Sequence, residues 1–133
     1  MIQLKTDREI EIIARGGAII ADLFREMRGR IEPGVSTGQL NQFADEFICS
    51  HDGAAPAFKG LYGFPGSVCT SVNEEVVHGI PSFRRKLREG DIISIDVGVK
   101  LEGWFTDSAR TFPVGRVDDA TRKLLEVTEE SLY

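Results

Sequence analysis

The sequence has no long hydrophobic run and no concentration of positive charge. No stretch of the chain approaches the roughly 20 consecutive apolar residues that a membrane-spanning helix needs. Residues 1–20 carry charged side chains at helical spacing, which is unlike a secretory signal peptide. The formal net charge is −5 and no basic run stands out, which argues against a nucleic-acid interface. We therefore expect neither a membrane partner nor direct nucleic-acid binding.

Cysteine is scarce, and internal repeats and low-complexity segments are lacking. Cys49 falls in a predicted helix and Cys69 in a predicted strand, so reduced thiols in the cytoplasm fit better than a disulfide between them. Hydrophobic residues make up 41% of the chain and charged residues 28%, which are ordinary values for a globular protein. A chain of 133 residues can build a real core, and we expect residues 1–133 to form a single domain.

Two capped helices are predicted before residue 54. The first runs over residues 6–30, where Thr6 and Glu9 form a capping box and apolar residues recur at helical spacing. Gly16-Gly17 falls within this apolar stripe and weakens the helix, which indicates close packing at that point. A second capping box begins a helix at Ser36, and Asp52-Gly53 ends it. Both stripes are expected to face the core.

A third helix is predicted near the end of the sequence. It begins at Asp118 or Asp119, either of which can cap its first turn. Its apolar side consists of Leu124, Leu125 and Leu132. No Gly, Asn or Pro follows that would end the helix before Tyr133, so we expect the chain to end within this helix.

A predicted β-hairpin is the most informative part of the chain. Residues 92–99 alternate in polarity at period two, with Asp96 on the polar face, and residues 104–114 form the second strand. The pair Glu102-Gly103 is a common way to reverse a hairpin. Folding the hairpin about the midpoint of residues 101 and 102 sets Asp96 directly opposite Asp107, with Cβ atoms about 5 Å apart.

Two carboxylates in such a position repel each other unless something lies between them. A shared proton, a basic side chain or a metal ion would each resolve the repulsion, and carboxylate oxygens suit divalent cations. Arg110 is near in sequence but lies on the opposite strand face from Asp107. The alternative is that one aspartate is exposed to solvent while the other caps a turn. The pattern alone leaves these alternatives open.

The segments before the hairpin are harder to interpret. Residues 54–66 are rich in Gly and Pro with interleaved aromatic residues, which is typical of a loop that packs on a sheet. Residues 67–73 predict a strand, and Val76, Val77 and His78 a short continuation of it. On the pattern alone, His78 is a histidine at the end of a strand. The basic segment of residues 81–90 is interpreted as a solvated loop.

Several motifs in this order resemble the type I methionine aminopeptidases. DIISIDVGVKLEGWFTDSARTFPVG at residues 91–115 resembles the first metal-ligand hairpin of that family, and SVNEEVVHGIP at residues 71–81 resembles its substrate-binding histidine segment. KTDREIEIIARGGAIIADLF at residues 5–24 and PAFKG at residues 56–60 also match its pattern. The resemblance covers essentially the whole chain. It implies the N-terminal half of an α+β pita-bread fold, an antiparallel sheet with helices packed on one face.

The resemblance also implies a role for individual residues. Asp96 and Asp107 would be ligands of two divalent metal ions, of Co, Mn, Fe or Zn, in the intact family site. His78 would hydrogen-bond the substrate during attack on the peptide carbonyl. The pocket for the methionine side chain would be lined by Phe58, Leu61, Phe64 and Cys69. Asn73 would belong to a loop that binds a monovalent cation.

The family site needs one His and two Glu ligands more than this sequence holds, which leaves several functions open. In the first, the chain is part of a cytoplasmic enzyme that removes N-terminal methionine from peptides and nascent proteins, completed by a C-terminal half. In the second, it is an inactive half-domain that binds a partner or pairs with a second copy, because a half exposes an apolar sheet edge and face. A proline-specific peptidase is a third alternative, which VNEEVVHGIP disfavours.

Overall fold

The computed structural model describes residues 2–133 as three helices and a four-stranded sheet. In chain order the elements are α1 (Asp7–Arg28), α2 (Thr37–Cys49), β1 (Ala54–Pro56), a 3-10 turn (Leu61–Gly63), β2 (Val68–Val72), β3 (Ile92–Leu101), β4 (Trp104–Pro113) and α3 (Asp119–Glu130). None of the helices in residues 2–133 is both long and apolar enough to cross a membrane. The α+β architecture predicted from the sequence is confirmed.

The central strand β3 organises an antiparallel sheet. It pairs with β4 along one edge, and with β1 and then β2 along the other edge. Alternate β3 side chains, those of Ile93, Ile95, Val97 and Val99, are fully buried on one face. Helix α1 packs over β3 and β4, while α2 packs over β1 and β2. The helices therefore cover the apolar face of β3 and leave the face of Asp96 open.

Both predicted capping boxes are present. The Thr6 side chain accepts a hydrogen bond from the Glu9 backbone, and the Glu9 carboxylate accepts one from the Thr6 N–H at 2.7 Å. Ser36 and Gln39 repeat this arrangement at the start of α2. Each box satisfies amide groups that the first turn of a helix otherwise leaves unpaired. These local signals explain why both helix starts could be predicted to the residue.

Three boundary predictions need correction. Residues 76–78 do not continue the strand, because β2 ends at Val72 and His78 has a φ of 61° that is incompatible with extended backbone. The short strand β1 was predicted as part of a loop; three residues carry too little periodicity to reveal a strand. Helix α3 ends at Glu130 with Ser131 as its C-cap, so Leu132 and Tyr133 lie outside it.

Helix α3 packs weakly on the rest of the structure. Within residues 2–133 no side chain of α3 is buried, and Leu124 is 59% exposed. An ion pair of 2.7 Å between Arg110 and Glu129 joins α3 to β4. A surface ion pair of this kind contributes at most about 1 kcal/mol, so α3 adds little to the stability of the chain.

The adjacent glycines of α1 are expected to respond in opposite ways to alanine. A Cβ at Gly16 would lie 2.6 Å from Thr106 Oγ1, the hydroxyl that donates to the Ile13 carbonyl, whereas a Cβ at Gly17 would meet Thr106 Cγ2 at an ordinary 3.6 Å. We expect Gly17→Ala to stabilise the chain by about 0.5–1 kcal/mol through helix propensity. Gly16→Ala should destabilise it by about 1–3 kcal/mol through overpacking. Urea unfolding measures both, and equal signs would contradict the packing described.

Candidate active site

The hairpin register differs from the one predicted. Glu102 and Gly103 both adopt left-handed backbone, with φ of 49° and 85°, and form a two-residue turn that places Leu101 opposite Trp104. Asp107 therefore pairs with Gly98 rather than with Asp96, which lies opposite residue 109. The predicted direct opposition is wrong by two residues because the turn is centred one residue later. The two aspartates remain on the same face as a diagonal pair, a spacing of about 7–8 Å that side chains can bridge.

The open face of the sheet carries a cavity that unites seven of the eight predicted site residues. Its volume is about 460 Å³. It is lined by Phe58, Leu61, Tyr62, Gly63, Phe64, Pro65, Cys69, His78, Ile80, Asp96 and Asp107. Aromatic and aliphatic side chains form most of the wall, and the two carboxylates and the histidine supply its polar groups. An apolar pocket with a few convergent polar groups is the usual form of a small-ligand site.

The Asp96 carboxyl lies in an unfavourable electrostatic environment within the cavity. Burial, and then the neighbouring Asp107 carboxylate, raise the pKa of Asp96 to about 6, while the nearby His78 acts in the opposite direction. Asp96 Oδ1 is buried and finds no hydrogen-bond partner within residues 2–133. A buried carboxylate oxygen without a partner is costly, and a cation is one of the few groups that would satisfy it.

Cys69 contributes to the wall as an apolar group. It pairs with Asp96 across β2 and β3, and only 5% of it is exposed. Burial, together with the negative charges of Asp96 and Asp107, raises the pKa of the Cys69 thiol to about 11. The thiol therefore stays protonated at neutral pH, as a polarizable wall and not as a nucleophile.

His78 is held at the cavity by its neighbour Gly79. The Gly79 carbonyl accepts the Thr70 N–H at 2.8 Å, and the Gly79 N–H donates to Ser71 Oγ at 3.1 Å. These contacts fix the segment after His78 against the edge of β2, although His78 itself is exposed and has left-handed backbone. Strained backbone next to a site persists only where its surroundings determine it.

The loop of residues 57–66 is tied to α2 by a polar network. Asp45 pairs with Lys59 at 2.9 Å and also accepts a hydrogen bond from Ser67, so that Ser67 and Lys59 lower the pKa of Asp45. Asn41 Oδ1 accepts the Ser67 N–H at 2.7 Å. The network fixes both ends of the loop that bears Phe58, Leu61 and Phe64. Its members are far apart in sequence and no local pattern predicted them.

The structure adds cavity residues that the sequence interpretation had missed and leaves one predicted residue apart. Tyr62 and Ile80 line the cavity; the interleaved aromatics of the loop and the position two residues after His78 were the available signals. Asn73 is not among the lining residues. Its side-chain oxygen accepts the Ile92 N–H at 3.0 Å and its amide donates to Asp91 at 2.9 Å, so it anchors the start of β3. The cation loop at Asn73 stays a prediction.

The chemistry of the cavity fits part of a divalent-metal site. Asp96 and Asp107 offer carboxylate oxygens, and Asp96 Oδ1 lacks another partner in the described chain. Residues 2–133 contain no group of three or more His, Cys, Asp or Glu side chains able to hold an ion. The two aspartates can therefore supply only part of the ligand set of such a site.

An antiparallel sheet with helices on one face and two aspartates over a cavity on the other is the architecture of one half of a pita-bread metallopeptidase. Comparison with known proteins gives the same class: the family model described as metallopeptidase family M24 matches residues 11–133, and the chain belongs to this family.

The relatives that this chain matches are described as methionine aminopeptidases. Methionine aminopeptidase 1 of Bacillus subtilis strain 168 is 56% identical over 133 residues, covering 100% of this chain and 53% of the relative. The crystal structure of the Thermotoga maritima methionine aminopeptidase superposes with a TM-score of 0.94 at 40% identity, covering 98% of this chain and 52% of that one. The Rickettsia prowazekii enzyme gives 0.93 at 38% identity, with coverages of 98% and 52%. The chain thus spans about half the length of the curated relatives it matches.

Proposed function

We propose that this chain forms the methionine-binding half of a cytoplasmic, metal-dependent aminopeptidase that removes N-terminal methionine from peptides and nascent proteins. The observation that carries the proposal is a cavity in which an apolar wall meets two carboxylates and a histidine. The identity of the relatives supports the same reaction class. Free thiols at Cys49 and Cys69 are consistent with the cytoplasm.

The wall of the cavity suits the side chain of methionine. Phe58, Leu61, Phe64 and Cys69 present aromatic, aliphatic and sulfur surface, which matches an unbranched, polarizable thioether. The protonated Cys69 thiol adds no charge that would have to be desolvated when an apolar side chain enters. Binding there would place the first peptide bond of the substrate toward the polar end of the cavity.

The polar end is where the peptide bond would react. Asp96 and Asp107 would hold divalent ions of Co, Mn, Fe or Zn, in a site shared by two ions once the remaining ligands are supplied. When bound, such ions polarise the scissile carbonyl and lower the pKa of water. His78, fixed by the contacts of Gly79, would orient the substrate through hydrogen bonds as the carbonyl is attacked.

A hybrid enzyme tests the proposal. In it, residues 1–133 replace the matched segment of the Bacillus subtilis relative, which supplies the rest of its own chain. We expect the hybrid to release methionine from Met-Ala-Ser, and its Asp107→Asn variant to lose at least about 100-fold in kcat/KM because a metal ligand is removed. A folded hybrid without methionine release, beside an active relative, would contradict the proposal.

The isolated chain is expected not to release methionine from Met-Ala-Ser. Within residues 2–133 the ligand set is incomplete, so divalent ions bind too weakly to support turnover. This observation also favours the second candidate function, an inactive half-domain that binds a partner or a second copy. Assaying a pure, sequence-verified sample with added Mn²⁺ or Co²⁺ tests this expectation, because robust methionine release would exclude the inactive half-domain. Both candidate functions predict no release by the isolated chain, so the hybrid enzyme is the experiment that distinguishes them.

A further inference from the structure

Gly98 lies on β3 next to both aspartates of the cavity. It is buried, it is paired with Asp107 across the hairpin, and it shares a sheet face with Asp96 two residues earlier. Its carbonyl accepts the Ala57 N–H at 2.8 Å, which holds the start of the cavity loop against the strand. Gly98 is thus adjacent to Asp96, to Asp107 and to the cavity loop, but it has no side chain that could contact a ligand.

The space that a side chain at Gly98 would fill is occupied by Phe58. A Cβ there would lie 2.6 Å from Phe58 Cε1, 3.0 Å from Phe58 Cδ1 and 2.9 Å from the Ala57 Cβ. Contacts below 3.0 Å are not tolerated, so the aromatic ring rests directly on the bare backbone of β3. Phe58 is also part of the cavity wall. The position of that wall therefore depends on the absence of a Cβ at Gly98.

We propose that Gly98 is a specificity-determining residue, which sets the depth of the cavity for a long unbranched side chain by allowing Phe58 to seat against β3. The inference rests on the function proposed above. A Cβ at Gly98 would push the ring off the strand, and the space above that strand face is the cavity. The added methyl group thus shortens the pocket by moving Phe58, and the three atoms nearest to it belong to Ala57 and Phe58 and not to the polar residues of the site.

The expected consequence is a change in side-chain selectivity. A pocket discriminates by about 10–200-fold for one methylene that it can or cannot accommodate. A shallower cavity should reject methionine while accepting a shorter apolar side chain such as 2-aminobutyrate. A general loss of catalysis would instead lower the rates for both side chains equally.

The hybrid enzyme allows this to be measured. The kcat/KM values for Met-Ala-Ser and for the same peptide beginning with 2-aminobutyrate are compared in the parent, in Gly98→Ala and in Gly98→Ala with Phe58→Leu. We expect Gly98→Ala to lower the methionine-to-aminobutyrate ratio about tenfold. The double variant should recover part of the ratio, because the smaller leucine removes the contacts with the Phe58 ring and leaves only the 2.9 Å contact with the Ala57 Cβ. Gly29→Ala is the matched control, since its Cβ would meet nothing closer than 3.8 Å.

Each outcome has a distinct meaning. A parent hybrid that folds but releases no methionine overturns the proposed function, and this inference with it. An active parent with the same ratio in Gly98→Ala overturns the inference alone. Should Gly98→Ala fail to fold, as judged by circular dichroism, the double variant decides. If the double variant folds and its methionine-to-aminobutyrate ratio moves back toward that of the parent, the role of Phe58 is supported. If the double variant neither folds better than Gly98→Ala nor has a higher ratio, the inference is overturned.

Discussion

Replacing Asp96 by asparagine is expected to remove the divalent-metal binding of this chain and to make its fold more stable at neutral pH. Both effects have one cause, a carboxyl that is buried beside Asp107 with its Oδ1 unpaired. Without a cation the charged form of Asp96 destabilises the fold, and with a divalent cation the same charge contributes to binding. Asparagine keeps the shape of the side chain but has neither property.

The pH dependence of stability follows from the direction of the pKa change. The pKa of Asp96 rises from 3.8 to about 6 on folding. Between these values the folded state holds more protons than the unfolded state, so the free energy of unfolding falls as pH rises and levels off above about 6. Each pKa unit corresponds to about 1.4 kcal/mol. Because solvent still reaches Asp96, we discount the penalty to about 1–2 kcal/mol.

Urea unfolding at pH 4 and pH 7.5, without added metal, measures this effect. Asp96→Asn should be more stable than the native chain by about 1–2 kcal/mol at pH 7.5, and the difference should shrink at pH 4, where the native carboxyl is protonated. Asp52→Asn, at an exposed aspartate in a turn, is the control and should change little. A native chain that gains stability from pH 4 to 7.5 relative to Asp96→Asn would have the opposite sign and contradict the account.

Calorimetric titration with Mn²⁺ or Co²⁺ measures the metal effect. The native chain should bind weakly and Asp96→Asn should bind at least about tenfold less tightly, because one of the two carboxylates is lost. Binding should also stabilise the native chain and leave Asp96→Asn unaffected, since a ligand of the folded state shifts unfolding by mass action. Equal affinities of the two proteins would show that Asp96 is not a ligand.

Short-range chemistry made much of this fold predictable from the sequence. The capping boxes at Thr6 and Ser36 act over three residues, and the alternation of β3 buries Ile95 and exposes the face of Asp96 through a period of two. The hairpin depends on Glu102-Gly103, which the sequence identifies as the turn. The predicted register is nevertheless wrong by two residues, because the left-handed φ values of both turn residues decide which pair closes the hairpin.

The family motifs led to residues that the fold places together. Seven of the eight predicted residues line one cavity, while Asn73 turns instead toward Asp91 and Ile92, and the roles of these residues stay predictions. The contacts that hold the site join distant parts of the chain, such as Lys59 with Asp45 and Gly79 with Ser71. Such pairings arise only when tertiary packing brings the elements together, and local sequence patterns do not predict them.

Gly79→Ala is expected to be the most damaging small substitution near the site. A Cβ at Gly79 would lie 2.2 Å from the Thr70 carbonyl oxygen and 2.8 Å from the Ser71 Cα, both backbone atoms of the buried strand β2 that cannot move aside. The segment must then lift away from β2, which breaks the Thr70–Gly79 and Gly79–Ser71 hydrogen bonds. Overpacking and two lost hydrogen bonds together predict a destabilisation of about 2–4 kcal/mol.

Lifting the Gly79 segment away from β2 should also lower catalytic activity by displacing His78, which immediately precedes Gly79 and lies outside any strand. Misplacing a catalytic group by about 1 Å can cost about 100-fold in rate, so we expect kcat of the hybrid enzyme to fall 10–100-fold with a smaller change in KM. Ser71→Ala removes one of the two hydrogen bonds without a steric conflict and should cost about 1 kcal/mol, with an intermediate loss of kcat. If Gly79→Ala melts like the native chain and keeps its kcat, then the edge of β2 does not position His78.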